Sequence, residues 1–355
     1  MSTTTTTTTA PTFILPPEAP PHPGSTPEYS VISYAKLLSK SPSEIAALRT
    51  ACERDGFFYL NLRGSQGDAG EDKEHTVEDK VPRVFKIVNE FFKLDDEEKM
   101  SYDIDTIAPW KLHGYTPFGR NSGLAGGDKK HGVEAYTLPR DGLSPSVPNQ
   151  APVPLPPVLA SESPFLTGFM EELHGISLDI LHGLDLSRSP SPSSNSTSTT
   201  ESNFFTSRHR PTEPSTTCLL LIRYATLDTA ISGSGLAPHT DVGSITLLFA
   251  SEKGLQARHP LTHEWRFLEP REGCAVVNVG DSLRFLSGKE YQSSLHRVIP
   301  PTSDGSRVEN RFSCAYFLRP ELDAEFTAEG KRWKSLDWHM RKYKSYRSGQ
   351  TGKTE

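Results

Sequence analysis

Cysteine is scarce: the 355 residues hold only Cys52, Cys218, Cys274 and Cys314. None forms a C-x-x-C pair, which argues against a disulfide scaffold and a thiolate zinc site and predicts reduced thiols. Positive charge is also in deficit, with 38 Lys and Arg against 44 acidic residues and a net charge of -6. Such a balance offers no general attraction to phosphate backbones or anionic lipid, so neither nucleic acid nor a membrane is an expected partner. No run reaches the roughly 20 apolar residues of a membrane-spanning helix. The opening "MSTTTTTTTAPTFILPPEAPPHPG" has neither the basic start and apolar core of a secretory signal nor the arginines of a mitochondrial transit peptide. It reads as a disordered Thr/Pro-rich tail over 1–27, and a cytoplasmic location is the default expectation.

What remains is enough chain to bury a sizeable core. Ser41-Pro42-Ser43-Glu44 carries the signs of a helix start with a capping box. "GFFYLNL" from Gly56 predicts a buried strand and "VPRVFKIVNEFFKL" from Val81 a second helix, so the N-terminal third reads as mainly helical. Six of the fourteen residues from Ser144 to Pro157 are proline, which marks an extended connection. Phe165, Phe169, Leu173, Ile176, Ile180 and Leu184 then recur at helical spacing after Ser163-Pro164. Ser187 to Ser202 holds eleven Ser or Thr in sixteen positions and reads as a flexible insertion. Its Asn195-Ser196-Thr197 sequon is a pattern only. From Cys218 short apolar runs separated by Gly and Pro predict an all-β sandwich or barrel. The basic end from Gly330 to Arg347, with Trp333, Trp338 and Tyr343, reads as a solvated helix with anchoring aromatics.

Within the β region "LAPHTDVGSITLLF" (Leu236 to Phe249) reads as a strand with His239 and Asp241 two apart, on one side of an extended chain. Two polar residues alone would be an ordinary strand surface. Two imidazoles and one carboxylate on one face, however, hold a mononuclear iron(II) and leave the opposite face open. The third ligand must then be a later histidine: His259, His263, His296 or His339. His259 and His263 flank an expected hairpin turn, whereas His296 in "SSLHRVIPP" opens a strand after the sheet has doubled back. In "NRFSCAYFL", Arg311 and Ser313 again share one face of a strand, a seat for a carboxylate. Asn278 and Asp281 in "VVNVGDSL" are assigned mainly a turn-forming role. Trp110, His113 and Tyr115 are weaker candidates for substrate contact, and Phe312 and Tyr316 read as packing.

The ordered set "HTDVGSITLL", "GLQ", "VVNVGDSL", "SSLHRV" and "RFSCAYF", with "ACERDGFFYL", "FFKLDDEEKMSY" and "LHGYTPFG" upstream, resembles iron(II)/2-oxoglutarate-dependent dioxygenases of the isopenicillin N synthase-like group. The likeness spans Glu28 to Pro320. It implies a mainly β fold with flanking helices: a double-stranded β-helix (jelly-roll, cupin-like) core with a helical N-terminal region. It further implies that His239, Asp241 and His296 bind Fe(II), and that Arg311, Ser313 and Tyr224 hold the distal carboxylate of 2-oxoglutarate. Cosubstrates would be 2-oxoglutarate and O2, with ascorbate a candidate stimulant. Ala225 stands where relatives usually have proline, and the turn from His296 to Arg311 is a few residues long.

The expected layout is a tail (1–27), an N-terminal dioxygenase domain (28–140), a Pro-rich connection (141–160), the β-helix core (161–325) with a flexible insertion (187–215), and a C-terminal helix and tail (326–355). The expected activity is hydroxylation, desaturation or cyclisation of a small organic metabolite, in secondary metabolism by analogy, by a monomer. The alternatives are a same-fold oxidase that does not use 2-oxoglutarate and a non-catalytic small-molecule binder. A nucleic-acid demethylase fits least, because no basic, aromatic-studded groove is evident.

Overall fold

A computed structural model of the chain describes residues 29–63, 77–108, 112–120, 132–188, 203–224, 235–299 and 311–348. Trp110, Ala225, the serine-rich stretch 189–202 with its sequon, and the turn 300–310 lie outside the described residues. The strands are β1 (Val31–Ser33), β2 (Phe57–Asn61), β3 (Gly114–Thr116), β4 (Val133–Pro139), β5 (Cys218–Tyr224), β6 (Leu236–His239), β7 (Ile245–Ala250), β8 (Leu255–Arg258), β9 (Trp265–Phe267), β10 (Cys274–Val279), β11 (His296–Val298), β12 (Arg311–Leu318), β13 (Glu325–Ala328) and β14 (Lys331–Lys334). The helices are α1 (Tyr34–Leu38), α2 (Pro42–Arg54), α3 (Val81–Phe92), α4 (Asp96–Met100), α5 (Ile104–Ile107), α6 (Pro157–Ser161), α7 (Ser163–Arg188), α8 (Asp281–Leu286) and α9 (Ser335–Ser348).

Among the described residues one sheet runs β1-β2-β10-β7-β12-β5-β4-β3 and a second runs β6-β11-β8-β9. Alternation along the strands sorts their side chains to two faces. Phe312, Cys314, Tyr316 and Leu318 of β12 join the main core, together with Ile245, Leu247 and Phe249 of β7 and the buried faces of α3 and α7. Phe169 of α7 meets Phe249 with ring centroids 6.4 Å apart, and Phe91 of α3 meets Tyr136 edge-on at 4.9 Å. The opposite face of the large sheet (Leu220, Ile222, Leu248, Ala315, Phe317) looks across to the small sheet, and a cavity of about 260 Å³ lies between them. This is the jelly-roll sandwich: helices cover one face, and the other encloses the site.

Four local expectations change. "LAPHTDVGSITLLF" is two strands, β6 in the small sheet and β7 in the large one, joined by a turn over Thr240 to Ser244. The turn packs too closely for a side chain at two glycines: an added Cβ at Gly243 would come within 2.6 Å of the Leu318 carbonyl oxygen, and one at Gly280 within 2.2 Å of that of Gly243. "DSLRFL" is the helix α8 rather than more strand. The capping box is not made, because Glu44 accepts from the Ser33 amide (2.5 Å) instead of returning to Ser41. The N-terminal third is mainly helical but also supplies β1 to β3, and β2 pairs directly with β10.

The basic C-terminal segment begins as the β13/β14 hairpin and only then becomes α9. One face of α9 is buried, with Trp338, His339 and Lys342 at 3%, 6% and 8% exposure. A solvated helix therefore describes only its other side.

Candidate iron and 2-oxoglutarate site

His239 closes β6 and His296 opens β11, and the antiparallel register sets these two residues directly opposite each other. Their ring centroids are 4.1 Å apart. Each imidazole is oriented by its own backbone: His239 Nδ1 donates to the Ala237 carbonyl (2.9 Å) and His296 Nδ1 to that of Ser294 (3.2 Å). That fixes the tautomer and leaves both Nε2 lone pairs facing inward. Asp241 sits just past the end of β6, in the turn, and its Oδ1 lies 3.7 Å from His239 Nε2 and 3.6 Å from His296 Nε2. The three ligand atoms fall within 4.8 Å of one another.

The second oxygen of Asp241 is already engaged. Its Oδ2 accepts from Thr246 Oγ1 (2.7 Å) and Asn278 Nδ2 (2.8 Å), so Oδ1 alone is presented. Burial would raise this carboxyl, but His296, His239 and Asn278 together hold it well below the usual carboxylate range. Burial likewise opposes a charged His296, yet the Asp241 carboxylate beside it raises its basicity. A donor set of two imidazoles and one anionic oxygen suits a hard-to-borderline divalent metal such as iron(II).

Asn278 belongs to the site rather than to a turn. It lies inside β10 opposite Thr246 of β7, and so points with it at Asp241. The available signal was a polar residue on the inward face of an otherwise apolar strand. Asp281 supports the same turn: its Oδ2 accepts from Thr240 Oγ1 (3.3 Å) and pairs with Lys342 Nζ (3.0 Å), and its backbone amide donates to the Asp241 carbonyl (2.7 Å). From the serine side, His209 Nε2 contacts Ser244 Oγ at 2.7 Å. Loss of an outer partner typically costs about 10- to 100-fold in metal affinity. Asn278→Ala should therefore weaken Fe(II) binding in anaerobic calorimetric titration by about that factor, and unchanged affinity would show that the contact is idle.

Arg311, Ser313 and Tyr224 form a second cluster. Arg311 pairs in register with Tyr224, and its guanidinium carbon lies 4.1 Å over the Tyr224 ring. Tyr224 Oη and Ser313 Oγ are 3.1 Å apart. Arg311 Nε donates to the carbonyls of Glu252 and Lys253 (3.2 and 3.1 Å), while its buried Nη1 has no partner. Gly254 (φ +136°) carries the chain past this arginine. Tyr224 lines the large cavity with His239, Asp241 and His296; Arg311 instead borders a small pocket of about 10 Å³, and Leu248 and Leu255 line both. A buried cation with an unsatisfied donor on the inward face is what an anionic cosubstrate would complete.

The other candidates fall outside this set. His259 approaches Asp55 (Nε2 to Oδ1 3.6 Å), and His263 takes φ +60° in the β8/β9 turn. His113 Nε2 meets Tyr136 Oη (3.2 Å) and Tyr115 donates to Glu134 (2.6 Å), so both are tied into packing, as are Phe312 and Tyr316. His339 and Arg319, by contrast, line the cavity. His339 is one of the four histidines considered for the third ligand and reaches the cavity without joining the triad, whereas sequence reasoning passed over Arg319, since nothing local places the end of β12 there.

Residues 216–320 match the profile of the 2OG-Fe(II) oxygenase superfamily, and residues 30–154 that of the non-haem dioxygenase in morphine synthesis N-terminal region. The 2-oxoglutarate-dependent dioxygenase frbH of Dothideomycetidae sp. (strain 11243) is 35% identical over 319 residues, 89% of each chain. The 2-oxoglutarate-dependent dioxygenase gloE of Glarea lozoyensis is 33% identical over 90% of this chain and 88% of the relative. Among solved structures, full-length Neurospora crassa T7H in complex with alpha-KG shares the fold at TM-score 0.67 and 22% identity, covering 88% of this chain and 94% of that one. The rice dioxygenase for auxin oxidation does so at TM-score 0.60 and 22% identity, covering 90% and 96%. A small-molecule substrate is consistent with these relatives. The chain belongs to the 2-oxoglutarate/iron(II) oxygenase superfamily and is a non-haem dioxygenase that uses iron(II) and 2-oxoglutarate.

Proposed function

We propose that His239, Asp241 and His296 hold the iron, that Arg311, Ser313 and Tyr224 hold the distal carboxylate of 2-oxoglutarate, and that the enzyme oxidises a small organic metabolite of secondary metabolism. The observation that carries this reading is the division of labour within the triad. Both Nδ1 atoms and Asp241 Oδ2 are occupied by the protein, which leaves two Nε2 atoms and Oδ1 aimed at one point. Iron(II) with 2-oxoglutarate and O2 supplies the oxidation of an unactivated C–H bond, with succinate and CO2 as co-products.

The protein's own contribution is geometry and dryness. Val133, Ile222, Leu236, Leu248 and Phe317 keep the cavity wall largely apolar around the triad. Such a wall excludes water and orders an apolar substrate against the open face of the ligands. The family description tied to morphine synthesis supports specialised metabolism, and the net charge of -6 supports an enzyme that engages neither nucleic acid nor anionic membrane; we read it as a cytoplasmic monomer.

Oxygen uptake measured with and without 2-oxoglutarate tests this reading against the same-fold oxidase. Uptake and succinate release should both require 2-oxoglutarate and rise together when candidate metabolites are supplied. Substrate oxidation without 2-oxoglutarate would overturn the assignment of Arg311, Ser313 and Tyr224.

A further inference from the structure

Two polar side chains of the cavity lining that the iron and 2-oxoglutarate clusters do not use carry buried polar atoms without a hydrogen-bond partner. His339 of α9 is 6% exposed, and neither Nδ1 nor Nε2 has a hydrogen-bond partner. Arg319, one residue beyond β12, commits Nη1 to the Thr216 carbonyl and to Cys218 Sγ (3.2 Å), but its buried Nε is unpartnered. No carboxylate among the described residues pairs with Arg319. Other polar groups on this side are engaged: Lys342 with Asp281 (3.0 Å) and Tyr343 Oη with Asp105 (3.3 Å). Both His339 and Arg319 line the same cavity as His239, Asp241 and His296.

A buried imidazole with two idle nitrogens, or a buried guanidinium N–H without an acceptor, costs stability that an ordinary core would not retain. Burial, and then the neighbouring Arg319 charge, push His339 well below the usual histidine range, so it presents one donor and one acceptor. Arg319 brings to its side of the cavity a positive charge that no carboxylate among the described residues pairs with, so the complementary ligand group supplies acceptor oxygens with negative charge.

We propose that Arg319 and His339 are the substrate anchor: the substrate is a largely apolar carboxylic acid whose carboxylate accepts from Arg319 Nε and from the His339 N–H, while its hydrocarbon part extends toward the triad. This rests on the iron assignment above. The anchor fixes one end of the substrate, so the distance from carboxylate to iron selects which C–H bond is oxidised. His339 and Arg319 are thus specificity-determining residues, distinct from Arg311, which serves the cosubstrate.

The test uses the full chain loaded anaerobically with Fe(II) and saturating 2-oxoglutarate, so that a probe acid cannot take the place of the cosubstrate at Arg311. Binding of 3-phenylpropanoate and 4-phenylbutanoate is compared by calorimetry with that of the corresponding primary alcohols. The acids should bind roughly tenfold or more tightly than the alcohols, since a hydrogen bond to a charged group is worth at least that factor. Arg319→Gln and His339→Leu should each remove the preference. His339→Leu should also keep iron and 2-oxoglutarate affinity and melt no lower than the parent protein, because it deletes two unsatisfied atoms, whereas a purely structural histidine would lower the melting temperature. Equal affinity for acid and alcohol, no binding of either, or a preference intact in both variants would overturn the anchor. Failure of the parent protein to take up iron would instead overturn the function proposed above.

Discussion

Asp241→Ala is expected to abolish substrate-dependent succinate formation, by at least about 100-fold given that the loss of a mere outer partner can cost that much. Two effects combine. The variant removes the anionic ligand, and it leaves His239 and His296, whose Nε2 atoms lie 3.7 and 3.6 Å from the lost oxygen, facing each other without a counter-charge. It also strips Thr246 and Asn278 of their acceptor. His239→Ala should match it in activity while leaving those two bonds intact. If either variant kept full turnover in a succinate assay, the triad would not be the iron site.

Arg311→Ala is expected to raise the dissociation constant for 2-oxoglutarate about 10- to 100-fold, the range for losing hydrogen bonds to a charged group. Its buried Nη1 is unpartnered, and Nε is already held by the Glu252 and Lys253 carbonyls, so the free edge of the guanidinium is the part that a carboxylate can engage. Arg311→Lys should rescue poorly, because an ammonium reproduces neither the fork nor the 4.1 Å stacking on Tyr224. Iron binding in both variants should stay near the parent value, which separates this cluster from the triad. Unchanged 2-oxoglutarate affinity in Arg311→Ala would move the cosubstrate elsewhere.

Much of this architecture is legible in the sequence because its decisive features are short-range. H-x-D puts His239 and Asp241 two positions apart whether the chain is a strand or a strand leading into a turn, and R-x-S keeps its two side chains on one face of β12 by simple alternation. The helical spacing from Phe165 to Leu184 likewise marks α7 without any tertiary knowledge. The misreadings that bear on the site were long-range. The split of "LAPHTDVGSITLLF" into two sheets depends on Gly243 and Gly280 packing backbone against backbone. The role of Asn278 depends on β10 lying beside β7, and that of His339 on α9 closing over the cavity. Local composition carries none of these pairings, so an inward amide reads as a turn residue and an inward imidazole as part of a solvated helix.

The central claim is that one iron is held by three named side chains and that 2-oxoglutarate joins it from a separate cluster. Anaerobic calorimetry with Fe(II), followed by 2-oxoglutarate, measures both steps on the parent chain and on the His239→Ala/Asp241→Ala/His296→Ala triple variant. The predicted result is one iron and then one 2-oxoglutarate per parent chain, with iron binding lost in the triple variant. Equal iron uptake by the triple variant would contradict the account.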